Sequence, residues 1–291
     1  MNQTSITLQL WHFFLHLRLH YQFFILSGGY LLASLFVEDL NSQYWLQFLN
    51  VHVLLFGGAT AYNSYWDKDE GPIGGLKSPP EMTRWMWMVS LGMQFIGLGW
   101  AYLVGLDYAI VYLVSLILFW LYSTPHARWK GHPWLSMLAI GISTGTNSFL
   151  MGYLAASGNT LGFEQGIIAL GVACVILSLY PASQVFQYKE DQKRGDRTFA
   201  MEYGLKGVRV LYSVLFPSGV LIISWMLYLQ SQVIGMLFFF ASIPAFVYIS
   251  YVLWRLEGKE EEYEKVMRIK FLASFSFVVF ILSVLLVKSI V

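Results

Sequence analysis

Two acidic stretches stand where long apolar runs end: Asn63-Ser-Tyr-Trp-Asp67-Lys-Asp69-Glu70, and Gln187-Tyr-Lys-Glu190-Asp191-Gln-Lys-Arg-Gly-Asp196-Arg-Thr198. Packing gives no reason to place carboxylates at the end of a membrane-compatible segment, and ionisable groups near that depth are functional candidates by default. Hard divalent cations take oxygen ligands, so carboxylates and amides gathered there suit a divalent cation together with a phosphate group. If the first segment stays helical through Trp66, then Asn63, Asp67 and Glu70 fall at i, i+4 and i+7 on one face. Gln184, Gln187 and Asp191, at i, i+3 and i+7, would likewise share one helical face, with Glu190 beside Gln187. Two such faces opposed would make a cation cage. A cage of protein carboxylates alone is over-anionic, so the expected partner is a substrate phosphate that shares the cation, as is common for Mg²⁺.

Phosphate calls for positive charge nearby. Lys77, Arg84, Arg128, Lys130, Lys193, Arg194 and Arg197 occupy the loops that adjoin the two stretches. Each also has a plainer reading, because cytoplasmic loops of membrane proteins are basic anyway. Asp69, Glu190 and Asp196 likewise read equally well as solvated loop charges. Ser143, Thr144, Thr146, Asn147 and Ser148, inside a further apolar run, either line a cavity and orient a second substrate or bond between helices. Gly141 and Gly145 beside them favour the packing reading. His12, His16 and His20 have metal-like helical spacing but no carboxylate at hand, and an amphipathic helix on the membrane surface accounts for them more simply.

The elements that must position these residues are membrane helices. Of the 291 residues 57% are hydrophobic and 12% charged, with a mean hydropathy of +0.56, whereas soluble domains carry roughly 25% charge. The expected fold is an all-α, polytopic membrane protein forming a single domain, 1–291. Nine candidate spans lie near 20–37, 43–65, 85–104, 107–123, 133–157, 163–187, 207–229, 233–254 and 270–290, each close to the ~20 residues that a hydrocarbon core requires. The joins at Gly105-Leu-Asp107 and Gln230-Ser-Gln232 are either tight hairpins or unbroken helices. Charge chooses between them. With nine spans, the N-terminus inside and the C-terminus outside, 17 of the 18 Lys and Arg residues fall on one side and only Lys288 on the other. Merging either hairpin would scatter them across both faces, against the positive-inside rule.

Several classes are excluded. The single cysteine, Cys174, permits no disulfide framework or thiol-metal cluster. A net charge of +1 gives no reason to expect a nucleic-acid partner. Residues 1–19 lack the basic start and small-residue site of a cleavable signal. The second and sixth spans each run into an acidic end and then a loop, a loose hint of internal duplication.

Here the chain resembles the UbiA superfamily of intramembrane prenyltransferases, which have nine helices, an inside N-terminus and two Asp-rich motifs after the second and sixth helices. The family's first motif is Asn-Asp-x-x-Asp-x-x-x-Asp. Asn63 and Asp67 match it, while Ser64 and Gly71 stand at the other two Asp positions. The second, Asp-x-x-x-Asp, corresponds to Gln187-x-x-x-Asp191, and Lys193-Arg-Gly195 with Arg197-Thr198 resembles the basic continuation. Tyr122 and Arg128-Trp-Lys130 resemble the family's residues after the fourth helix.

The resemblance implies ionisation of an isoprenyl diphosphate with Mg²⁺ and capture of the cation by an aromatic or other lipophilic acceptor in the bilayer. It assigns Asn63, Asp67 and Asp191 to catalysis, with Asp69, Glu70 and Glu190 as candidates for the missing metal-binding charge. Diphosphate would meet Asn63, Lys77, Arg128, Lys130, Lys193 and Arg197, with Gln187 as the second motif's amide. Tyr122, Thr144 and Asn147 are candidates for the acceptor pocket. The cation must be shielded from water, a task for an aromatic cavity, although most of the 11 Trp suit membrane interfaces. The expected location is the bacterial inner membrane. A terpene cyclase of the same fold is the alternative enzyme. A non-catalytic lipid-binding or transport protein is the other class, disfavoured because the acids cluster at one face and no short broken helix pair marks a midplane site.

Overall fold

Where lipid replaces water, a spanning segment must satisfy its own backbone hydrogen bonds, and an isolated apolar run does so only as a helix. The computed structural model describes residues 5–158 and 161–290, and among them there is no strand, only a single bridge between Ile73 and Leu76. Helix α1 (Ile6–His16) is capped by the Ser5 hydroxyl, which accepts from the Leu8 amide at 3.3 Å. It leaves Ile6, Leu8, Leu10, Trp11 and Phe14 exposed. Arg18, in the left-handed region at φ 48°, then turns the chain into α2.

Several of the following helices are not uniform, the one over Phe199–Gln230 among them, which is broken at Gly204 (φ 62°, ψ −174°). Helix α2 is built from Leu19–Tyr21, a wide π turn at Gln22–Leu26, then Gly28–Leu32 and Ala33–Phe36. Helix α3 joins Ser42–Leu49, a π segment at Asn50–Gly57, and Gly58–Asp67. After α4 (Arg84–Tyr102) and α5 (Leu106–Ser123), helix α6 joins Pro133–Ile140, a π segment at Gly141–Thr146, and Asn147–Ser157. Helix α7 (Phe163–Leu179) continues into short turns at Pro181–Gln187 and Tyr188–Lys193. Helices α8 (Phe199–Gln230), α9 (Gln232–Trp254) and α10 (Tyr263–Ile290) complete the bundle.

Both doubtful joins are hairpins. Gly105 adopts φ 156° between α4 and α5, Ser231 is extended between α8 and α9, and each pair packs side by side. Among the described residues six helical stretches are long and apolar enough to cross a membrane: Ile6–Phe36, Leu106–Ser123, Phe163–Lys193, Phe199–Gln230, Gln232–Trp254 and Glu260–Lys288. Helices α3, α4 and α6 are more polar because they carry buried Asn50, Ser90, Gln94, Thr144 and Asn147. Some of these groups bond between helices, the compensation that polar atoms need in lipid. Asn50 Nδ2 donates to the Gly97 carbonyl at 3.0 Å, and Asn147 Nδ2 donates to Ser115 Oγ at 2.9 Å and to the Val111 carbonyl at 3.2 Å.

The π segment of α6 lies against α7, and the contact requires glycine. A Cβ on Gly145 would fall 2.7 Å from Ala173 Cα, whereas one on Gly99 in α4 would meet nothing within 4 Å. Gly145→Val should therefore force the two helices apart at a cost of about 1–3 kcal/mol. The expected result is a melting temperature lowered by several degrees in detergent, with Gly99→Ala unchanged or slightly raised.

Candidate functional site

Helix α3 ends at Asp67 because Lys68 takes a left-handed conformation, φ 50° and ψ 43°. Asn63 and Asp67 therefore share its last turn, one helical turn apart on the same face. Asn63 Nδ2 donates to Ser123 Oγ at the end of α5, 3.1 Å away. The break corrects the expected i+7 stacking of Glu70, which falls in the loop beyond. The second stretch is positioned differently: α7 tightens at Pro181–Gln187, and the turn Tyr188–Lys193 presents Asp191. Gly195, at φ 74°, then bends the chain so that Asp196 comes back toward the 128–131 turn.

Cations from two loops interlock with these acids. Lys130 pairs with Asp67, and Arg128 Nη1 lies 4.0 Å from the same carboxylate. Arg128 grips Asp196 with two bonds, Nε to Oδ1 at 2.6 Å and Nη2 to Oδ2 at 2.8 Å. Arg194 donates to Asp69 Oδ1 at 2.5 Å, to the Asp67 carbonyl at 3.2 Å and to Asp191 Oδ1 at 3.4 Å. Asp67, Asp191, Asp196 and Lys130 are all buried. Removing one partner from such a pair leaves an uncompensated buried charge, which costs several kcal/mol, on the order of 3–5. Burial opposes the Arg194 charge, but Asp69, Asp67 and Asp191 more than offset it, so its pKa is raised. That of Arg128 is also raised, chiefly by its bond to Asp196, with burial working against it.

This charged floor closes one end of a cavity of about 330 Å³. The body is apolar, walled by Ile25, Phe119, Val172, Phe216, Phe277 and Phe280. Among the described residues no tryptophan lines it; Trp11, Trp45, Trp134, Trp225 and Trp254 are instead exposed on the outer surface. The Tyr122 and Tyr180 hydroxyls, 3.1 Å apart, face each other in the cavity wall. Such a chamber can take an amphiphile with a polyanionic head and a hydrocarbon tail.

Of the residues singled out from sequence, Asn63, Asp67, Asp69, Tyr122, Lys130, Thr144, Gln187 and Asp191 line the cavity. Arg128 stands behind the floor on Asp196 and Asp67. Others lie elsewhere, because charges further from the helix ends turn to solvent. Lys77 is exposed and paired with Glu264 at 2.6 Å, Arg197 is exposed with Glu202 at 2.6 Å, and Lys193 is exposed with Glu190 at 3.9 Å. Glu70 and Glu190 are outside the lining, and Asn147 is committed to α5. The histidine stripe is broken by the turn at Arg18, and His16 Nε2 bonds instead with the Pro80 carbonyl at 2.8 Å. Among the described residues no three His, Cys, Asp or Glu side chains converge as a metal site, so no protein-only cage forms. Arg18, Tyr21, Tyr180 and Lys270 line the cavity without having had a role in the sequence reading, and Asp196, weighed there equally as a site residue and as a solvated charge, lines it as well. Arg194 was indistinguishable from its basic neighbours.

Comparison with known proteins agrees with this architecture. The model of the UbiA prenyltransferase family matches residues 22–275. No curated protein matches significantly. Among solved structures, a UbiA homolog from Archaeoglobus fulgidus bound to GPP and Mg²⁺ superposes with a TM-score of 0.70 at 16% identity, covering 94% of this chain and 99% of that one. The same homolog bound to DMAPP and Mg²⁺ gives 0.68 at 15% identity, with 91% and 98% covered. A structure of digeranylgeranylglyceryl phosphate synthase gives 0.60 at 18% identity, covering 94% and 98%. These likenesses establish a shared fold. The family match spans most of the sequence and includes both acidic stretches, and with its apolar helices the protein is an integral, multi-pass membrane protein that belongs to the UbiA prenyltransferase family.

Proposed function

We propose that this protein transfers a prenyl group from an isoprenyl diphosphate to an aromatic or other lipophilic acceptor within the membrane, with Mg²⁺. One observation carries the reading: a single cavity joins a floor of buried, paired charge to a long phenylalanine-rich body. A diphosphate suits the first and an isoprenoid chain the second. Family membership and the fold shared with a homolog bound to GPP and Mg²⁺ support it.

The donor set fits Mg²⁺. Asp67 and Asp191 each bring one buried carboxylate to the cavity, and Mg²⁺ is usually held by one or two carboxylates with substrate phosphates and water completing the shell. These two would hold it, and when bound it would neutralise charge on the leaving diphosphate. Asp69 and Asp196 are engaged by Arg194 and Arg128, and their role is to fix those guanidinium groups. Lys130 and Arg194 supply preorganised positive charge where negative charge grows as the C1–O bond breaks. Asn63, held by Ser123, orients beside them as an amide contact to the diphosphate, with Gln187 across the floor. The phenylalanine walls keep water from the allylic cation. An acceptor atom near Tyr122 and Thr144 then forms the new bond to C1, and the acceptor loses a proton.

The orientation belongs to the same proposal. Helices α2 to α10 read as nine spans of one domain, residues 1–291, with the N-terminus and the charged floor on the cytoplasmic side of a bacterial inner membrane and the C-terminus outside. The placement of 17 of 18 Lys and Arg residues on that side supports it.

Purified protein should release diphosphate from geranyl, farnesyl or geranylgeranyl diphosphate in the presence of Mg²⁺ and a membrane extract, with a prenylated product. A cyclic hydrocarbon as product would point to a cyclase, and no Mg²⁺-dependent release at any chain length would refute both enzymatic readings. Asp67→Ala and Asp191→Ala should each lower turnover by more than about 100-fold, while Asp107→Ala at the exposed start of α5 should leave it intact.

Lys130→Met should lower kcat by roughly 100-fold or more, and Lys130→Arg should recover part of the loss. Comparison of melting temperatures separates this from the expected destabilisation of unpaired Asp67.

A further inference from the structure

Helix α1 carries its apolar side on the outside. Ile6, Leu10 and Phe14 recur every fourth residue and are exposed, and Trp11 beside them is exposed and stacks on Phe14 with ring centres 5.5 Å apart. The side turned to the rest of the chain holds polar groups. Gln9 accepts from Trp85 Nε1 at 2.7 Å, and His16 Nε2 bonds with the Pro80 carbonyl at 2.8 Å. Phe13, between them, packs on the Trp85 ring with centres 5.9 Å apart and joins Leu17, Ala61 and Met86 in a small core. A helix on a soluble protein buries its apolar stripe and exposes its polar one. The inverted arrangement of α1 calls for an apolar partner outside the chain.

Position in the bundle names that partner. Helix α1 touches the last turns of α3 and the first turn of α4, at the end of the bundle that also carries the charged floor. Its 11 residues rise ~16 Å, about half the ~30 Å of a hydrocarbon core, so it cannot cross one. Nor does it lengthen α2, because the left-handed Arg18 breaks the helix between them. On α4, Met88, Val89, Phe95 and Ile96 share the face of Trp85 and are exposed. The outer side of α1 therefore continues an apolar surface that α4 already presents to lipid. Between Ser5 and Leu17 the sequence has no Lys, Arg, Asp or Glu, so nothing in the helix selects a charged headgroup.

We infer that α1 lies in the plane of the membrane, in the leaflet on the side of the charged floor, with Ile6, Leu10, Trp11 and Phe14 set among the acyl chains just below the headgroups. The partner is lipid, recognised by apolar area and not by headgroup charge. An in-plane amphipathic helix sinks roughly 5–10 Å into that boundary, a depth that suits Trp11, and Trp85 marks the same level from the bundle side. The bonds of Gln9 to Trp85 and of His16 to Pro80 fix the roll of the helix, so the folded chain itself sets which face meets lipid. This anchorage does not depend on the reaction catalysed.

The test places one nitroxide label at a time on the full chain in phosphatidylcholine nanodiscs, using Leu10→Cys, Phe14→Cys, Met88→Cys or Glu81→Cys in a Cys174→Ser background. Collisions with oxygen report lipid, and collisions with a water-soluble nickel chelate report water. The oxygen-to-nickel ratio at Leu10 and Phe14 should fall within about threefold of that at Met88 and about tenfold or more above that at Glu81, in the exposed loop before α4. Added phosphatidylglycerol should leave these ratios unchanged. Ratios at Leu10 and Phe14 equal to that at Glu81 would place the helix in water and overturn the inference. So would access of neither reagent, the sign of a second copy or another protein on this face, and so would a helix that enters lipid only when phosphatidylglycerol is present. Trp11 supplies a label-free measurement should a cysteine variant not fold. The emission lost in Trp11→Phe should be quenched by lipid brominated near the headgroup and not by iodide in the buffer, and the reverse pattern would count against the in-plane anchor.

Discussion

Charge taken out of water has to be neutralised by its neighbours, and at the floor of this cavity that requirement ties together three segments distant in sequence. Asp67 ends α3, Arg128 and Lys130 belong to the turn before α6, and Asp191, Arg194 and Asp196 follow α7. Asp67, Lys130, Asp191 and Asp196 are buried, and the loops that carry them adopt conformations that serve the pairing. The left-handed residues Lys68 and Arg128 and the bend at Gly195 all occur where a side chain is delivered to the network. The electrostatic constraint thus dictates backbone geometry as well as side-chain position.

Helix irregularity around the chamber follows a similar logic. A π turn widens a helix and displaces the register of everything after it, and such turns occur frequently at functional sites. The π segments of α2, α3 and α6 contribute Ile25, Leu26, Phe56 and Thr144 to the cavity wall. The same helices carry buried amides that bond to neighbours, including Asn50 to the Gly97 carbonyl and Asn147 to α5. Polar cross-links hold the first half of the bundle, while α8, α9 and α10 are apolar and largely lipid-facing, with α8 broken only at Gly204, near its start.

What could be read from sequence follows from how local each determinant is. Asp67 and Asp191 were legible because each ends a long apolar run, a signal contained within a few residues. Both hairpins were legible for the same reason, since Gly105 and Ser231 lie at breaks in hydropathy that the charge distribution also demanded. Glu70 was misplaced because helical spacing was extended through Lys68, whose left-handed conformation leaves no mark in composition. Choosing among Lys77, Lys130, Lys193, Arg194 and Arg197 required knowing which loops fold inward, a matter of tertiary pairing. Arg18 and Lys270 are 252 positions apart and reach one cavity only through the tertiary fold, Arg18 against Ser64 and Gly74 and Lys270 against Tyr21. Neither stands in an acidic motif, so each read as an ordinary charge at a helix end.

The separation of aromatic residue types has a chemical consequence of its own. Indole carbons are good nucleophiles, and a tryptophan facing an allylic carbocation would compete with the acceptor and become alkylated. Benzene rings offer the same electron-rich face for charge stabilisation with far weaker bond-forming tendency. A chamber whose apolar wall is Phe119, Phe216, Phe277 and Phe280, with tryptophans kept to its outside, exposes an electrophile to fewer competing nucleophiles, leaving the phenols of Tyr21, Tyr122 and Tyr180 as the aromatic groups that could compete.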